Sequence, residues 1–99
     1  PYEIAIIPMI NKNDTTALEK ASNIYEHFKA NNIDTIIDDT DENISSKIKK
    51  FNLIGIPYQI IIGKNSDGDL LEFKEIGKDT KNLKIEEIVK LLIKIKEKN

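Results

Sequence analysis

The run Ile4-Ala5-Ile6-Ile7, closed by Pro8, limits the fold of this chain more than any other feature. It is too short for a helix, and it is apolar at every position rather than at alternate ones. A strand of that kind has to be covered on both faces, as the strands of a parallel sheet are. Tyr58 to Ile62 is a second, very apolar strand, and Ile33 to Asp38 is a shorter one around Ile36 and Ile37.

The segments between these runs have helical spacing. Leu18, Ala21, Ile24, Tyr25 and Phe28 fall on one face of a 3.6-residue period. Thr16 and Glu19 have the spacing of a capping box, with Asp14 as a rival cap, and Asn31-Asn32 ends the helix. Ile44, Ile48 and Phe51 mark a shorter helix over Ile44 to Asn52, with Lys47, Lys49 and Lys50 mostly pointing away from that face. Gly55 and Pro57 stop it. Gly63 to Gly68 reads as a hairpin loop with Asp67-Gly68 as its turn. Leu70 to Ile76 returns as a half-exposed antiparallel strand, Leu71 and Phe73 alternating with Glu72 and Lys74. A polar turn over Gly77 to Asn82 precedes a very short edge strand at Leu83. A last helix, Ile85 to Lys96, carries the stripe Ile85, Ile88, Val89, Leu92 and Ile95. The order β-α-β-α-β-β-α, with right-handed crossovers, predicts a three-layer α/β domain. Its small mixed sheet has a parallel core and an antiparallel hairpin strand, and three helices flank it.

Residues 1–99 suit one domain. With 39% hydrophobic and 32% charged residues the chain is globular rather than disordered. It has no cysteine, hence no disulfide, thiolate nucleophile or Cys-based metal site. No apolar run approaches the ~20 residues of a membrane span and no secretory segment opens it, so cytoplasm is the expected location. The start at Pro1, directly before a strand, suggests a piece of a longer protein. The net charge of -2 argues against a general nucleic-acid coat protein, and nothing points to DNA. It allows a local basic face with salt-sensitive binding. All 15 basic residues are Lys, which meets phosphate as a point charge without the two-pronged contact of Arg.

Catalytic equipment is missing from the pattern. His27 is the only His, opposite the apolar stripe of its helix. No strained Ser elbow and no Gly-rich phosphate loop follows the first strand. Asp38-Asp39, with Asp41 and Glu42, could hold a divalent cation or could cap the following helix; capping is the expectation, and no metal site is assigned. Lys47, Lys49 and Lys50 could contact phosphate or could form an ordinary solvated face. Phe51, Tyr58 and Phe73 could stack on bases, with core positions the expectation for Phe51 and Phe73.

Asp38-Asp39, the later Leu53-Ile54-Gly55-Ile56-Pro57, and the strand ending Ile62-Gly63 resemble the C-terminal anticodon-binding domain of class II aminoacyl-tRNA synthetases, the bacterial prolyl branch above all. Ile6-Ile7-Pro8-Met9 is similar to the first strand of that domain. The resemblance implies a domain that binds the anticodon loop of proline tRNA and carries no catalytic residue or cofactor. ATP and Mg would belong to a catalytic domain of the same parent chain, and the parent would be a homodimer. It implies contacts from Asn52, Gln59, Lys64, Asn65 and Lys74, and the lysine patch adds Lys47. The C-terminal ends of the parallel strands are the expected reading edge. Thr40 stands where the family usually has Arg, Ile44-Ser45 where Pro-Gly is common, and Asn52 where an acidic residue is frequent. The alternative is a regulatory or subunit-interaction module that reuses the fold.

Overall fold

The computed structural model describes residues 2–10, 13, 15–63 and 70–97. The elements run β1 (Ile4–Pro8), α1 (Thr16–Ala30), β2 (Thr35–Ile37), α2 (Ile44–Leu53), β3 (Tyr58–Ile62), β4 (Leu70–Glu75), β5 (Lys81–Lys84) and α3 (Ile85–Glu97). The five strands form one sheet in the order β2-β1-β3-β4-β5. β1 is parallel to both β2 and β3, while β4 and β5 are antiparallel additions. The predicted architecture is the observed one. The edge strand is longer than expected, because all of Lys81 to Lys84 pairs with β4 rather than Leu83 alone.

The crossovers explain the layers. The first moves from β1 to β2 on one side; the second steps back over β1 to β3. Two right-handed connections running in opposite directions place their helices on opposite faces. α1 and α3 share one face, burying Ala21, Ile24, Phe28, Ile88, Val89 and Leu92 against Ile4, Ile6, Ile60, Ile62, Leu71 and Phe73. α2 lies on the other, where Phe51 and Ile56 meet Ala5 and Ile7. β1 is therefore sandwiched, and its five residues are all buried. On the α2 face, the β3–β5 side has no helix over it among the described residues; Leu70, Glu72, Asn82 and Lys84 are exposed there.

Both crossover helices end in the same way. Asn32 adopts φ 60 and Gly55 φ 82, the left-handed conformation that lets a chain leave a helix. In α1, Ile33 N–H donates to Phe28 O at 3.0 Å and Asn32 N–H to Lys29 O at 3.1 Å. In α2, Ile56 N–H donates to Phe51 O at 3.0 Å and Gly55 N–H to Asn52 O at 3.2 Å. These are Schellman motifs, and the apolar residue after each turn packs in the same cluster as its bonding partner. The segment Leu53 to Pro57 is thus a helix stop with a physical role for Gly55 and Ile56.

The starts of the helices differ from expectation. The N-cap of α1 is Thr15, without a side-chain bond to the helix N–H groups; its hydroxyl reaches Glu19 Oε1 at 3.2 Å, so the Thr16 box does not form. Asp14 lies outside the described residues. The N-cap of α2 is Asn43, whose Oδ1 accepts from Ser46 N–H at 2.8 Å. Asp38 and Asp39 do not cap that helix.

Candidate RNA-binding site

Asp38 is committed to holding the chain together. It follows β2 and is 5% exposed. Its Oδ1 accepts from Thr40 N–H at 3.0 Å and from the Thr40 hydroxyl at 2.6 Å, closing a tight turn. Lys50 donates to Oδ2, and Lys47 Nζ stands 3.8 Å from Oδ1. Burial pushes this carboxyl up, but the Lys50 ammonium and the Thr40 donors more than offset it, and the Lys47 charge adds to them, so its pKa falls from 3.8 to about 2. The same contact raises Lys50 above its ordinary value. Thr40, placed where the resemblance would have Arg, completes this turn.

Lys47 does not belong to a phosphate-binding patch. It is 0% exposed. Its ammonium donates to Asp38 O at 3.1 Å and Thr40 O at 2.6 Å. The cause is helical spacing: Ile44, Lys47, Ile48 and Phe51 stand at i, i+3, i+4 and i+7, so Lys47 lies on the apolar stripe rather than beside it. Its stem runs beneath the helix and its charge meets the carbonyls of the loop. Lys49 remains exposed.

Asn52, Gln59 and Lys74 come together. Asn52 is exposed in the last turn of α2. Gln59, the second residue of β3, is 1% exposed, and its Nε2 donates to Asn52 Oδ1 at 2.8 Å. In the sheet Gln59 is registered against Ala5 on one side and Lys74 on the other. Lys74 is half-buried and donates to Lys78 O at 3.1 Å. Gln59 therefore supports Asn52 from beneath instead of presenting itself to a ligand.

This group is not at the expected edge. α2 ends beside the beginning of β3, so Asn52, Gln59 and Lys74 lie toward the N-terminal ends of the parallel strands. Gly63, after the C-terminal end of β3, is about 13 Å from Gln59 along the strand. Lys64 and Asn65, and the turn at Asp67-Gly68, lie outside the described residues. The C-terminal edge itself carries exposed Asp39, Asp41 and Glu42, a poor surface for phosphate.

The aromatic candidates take structural positions. Phe51 and Phe73 are in the core, and half-buried Tyr58 stacks on Phe73 with centroids 5.4 Å apart. His27 is exposed. Lys96 donates to Asn32 O and stands 3.3 Å from Glu3 Oε2, tying α3 to the start of β1. Among the described residues no His, Cys, Asp or Glu group is arranged to hold a metal, and no helix is long and apolar enough to cross a membrane.

Comparison with known proteins agrees with this architecture. The family model described as "Anticodon binding domain" matches residues 3–95. The chain is 69% identical to the proline--tRNA ligase of Pelagibacter ubique, over 100% of this chain and 22% of that protein. It is 40% identical to the corresponding ligase of Rickettsia bellii, over 89% of this chain and 19% of that one. It thus spans about a fifth of the length of these relatives. The RNA binding domain of threonyl-tRNA synthetase from Cryptosporidium parvum shares the fold, with a TM-score of 0.83 over 95% of this chain and 23% of that one, at 14% identity. From its first strand to its last helix, the chain belongs to the anticodon binding domain family of the aminoacyl-tRNA synthetases, most like the bacterial prolyl branch.

Proposed function

We propose that this domain holds the anticodon loop of proline tRNA for a proline--tRNA ligase. The observation that carries the reading is 69% identity, along the whole chain, to a protein of that activity. Asn52 contacts an anticodon base, because it is exposed and its amide can pair with a base edge. Lys74 supplies charge on the uncovered sheet face, and Lys64 and Asn65 remain contact candidates from the sequence. Unstacked loop bases suit such a site, since they are read by edge and by stacking. Amino-acid activation, with its ATP and Mg, belongs on this reading to the rest of the ligase, a cytoplasmic homodimer.

The test is a titration of the chain with two RNA stem–loops, one bearing a proline anticodon and one with its guanines changed to adenines. Asn52→Ala should cut the discrimination between them by ~1–3 kcal/mol. Equal affinities of the native chain for both RNAs would sink the assignment.

A further inference from the structure

Gln59 is a buried polar side chain in a strand otherwise built of Tyr and Ile. Its Nε2 is bonded to Asn52 Oδ1, and its Oε1 has no hydrogen-bond partner among the described residues. That arrangement gives Asn52 a direction. With one lone pair of Oδ1 held from below, the amide of Asn52 is turned so that its amino nitrogen, a donor with two hydrogens, points away from Gln59. Turning both amides over would keep one hydrogen bond. It would also replace a bare buried carbonyl oxygen with a bare buried amino group, and orphaned donors are the rarer and costlier case. The side chains beside it in the sheet do not satisfy that oxygen: Ala5 has no polar group, and Lys74 Nζ donates to Lys78 O.

We infer that Gln59 is a positioning residue which fixes Asn52 as a hydrogen-bond donor, so that the anticodon base facing it is read through an acceptor atom. The inference rests on the anticodon-loop reading above. Proline codons begin with two cytosines, so proline anticodons carry two guanines. A guanine shows acceptors at O6 and N7, and donors at N1 and N2. A donor at residue 52 selects O6 or N7; an acceptor there would select the N1 and N2 edge.

The probe is a stem–loop with the anticodon UGG, in which each guanosine in turn is replaced by inosine, 2-aminopurine riboside or 7-deazaguanosine. Inosine lacks only the N2 amino group, 7-deazaguanosine lacks only N7, and 2-aminopurine lacks O6 together with the N1 hydrogen, so an O6 contact is assigned where 2-aminopurine weakens binding and inosine does not. For the native chain, loss of O6 or N7 at one position should weaken binding about tenfold, and inosine should have no effect. Asn52→Asp offers only acceptors, so inosine should become a damaging change and 7-deazaguanosine a harmless one, while 2-aminopurine, which lacks the N1 hydrogen as well as O6, damages either polarity.

Gln59→Met removes the donor at similar volume. It should reduce the native preference to under about twofold, because the Asn52 amide is then free to turn. In the Asn52→Asp background the same Gln59→Met change should leave the pattern as it was, since a carboxylate presents the same atom either way. A merely structural role for Gln59 would disturb both backgrounds alike. If Gln59→Met keeps the native pattern, or disturbs both backgrounds equally, the inference fails while the anticodon reading stands. If Asn52→Ala already leaves every affinity unchanged, the contact assigned to Asn52 falls first. Thermal melting of each variant identifies any that fail to fold; should Gln59→Met be one, the analogue panel on the native chain and on Asn52→Asp still decides the polarity.

Discussion

Two charged residues, Asp38 and Lys47, are the most committed side chains in the domain. The Asp38 carboxyl has a folded pKa of about 2 against an ordinary 3.8. A depressed carboxyl stabilises the fold fully above its unfolded value and loses that contribution as pH falls through about 4 to about 2. The shift corresponds to about 2 kcal/mol. Asp38→Asn should shrink the difference in unfolding free energy between pH 6 and pH 2 by roughly that amount, measured by urea denaturation. Lys47→Met should lower stability by ~3–5 kcal/mol, since it leaves Asp38 without part of its compensation and two loop carbonyls without a donor. Where the variant is folded, its salt dependence of RNA binding should match that of the native chain. A flatter dependence would return Lys47 to the binding surface.

Helix ends decide where the site residues stand. Asn52 reaches Gln59 because α2 stops at Leu53 and turns through Gly55. A Cβ on Gly55 would touch nothing within 4 Å, so a side chain there meets only backbone strain. Gly55→Ala should therefore cost ~1–2 kcal/mol. Gly55→Asn should cost less, since Asn32 already serves in the equivalent turn of α1. Thermal or urea unfolding of the two variants checks the order.

This stop was legible in the sequence as Gly followed by Pro, and the alternation of apolar runs with helical stripes was enough to give the layers. The burial of Lys47 was legible too, from its place between Ile44 and Ile48, once a lysine is allowed on an apolar stripe. The pairing of Lys50 with Asp38, twelve residues earlier, was not. It depends on how the loop after β2 folds over α2, and no local period records that. That Asn52 and Gln59 lie at the N-terminal end of the sheet was legible, since α2 ends where β3 begins; that their side chains meet was not, because it follows from which face α2 takes.

At the scale of the molecule, charge is mixed rather than massed. Seventeen acidic residues against fifteen lysines give -2 overall, and several lysines are occupied by internal contacts. A surface of this kind neutralises few phosphates. With about three contacts to a single-stranded loop, the logarithm of affinity should fall with the logarithm of salt concentration at a slope near −2. A slope of −5 or steeper would mean a basic surface that the described residues do not present. The sheet edges are guarded against pairing with other chains: β2 is only three residues long, and β5 carries Lys81 and Lys84.

β5 ends at Lys84 and α3 begins at Ile85, so strand passes into helix with no residue between them. Glu87 Oε1 accepts from the Lys84 N–H at 3.1 Å and clamps the junction from inside the helix. One residue added there would rotate α3 by about 100° and carry Ile88 and Leu92 out of the core. Length variation in this part of the chain has its room in the exposed turn from Gly77 to Thr80. The seam just after β5 is a place where the domain can change its residues but not their number.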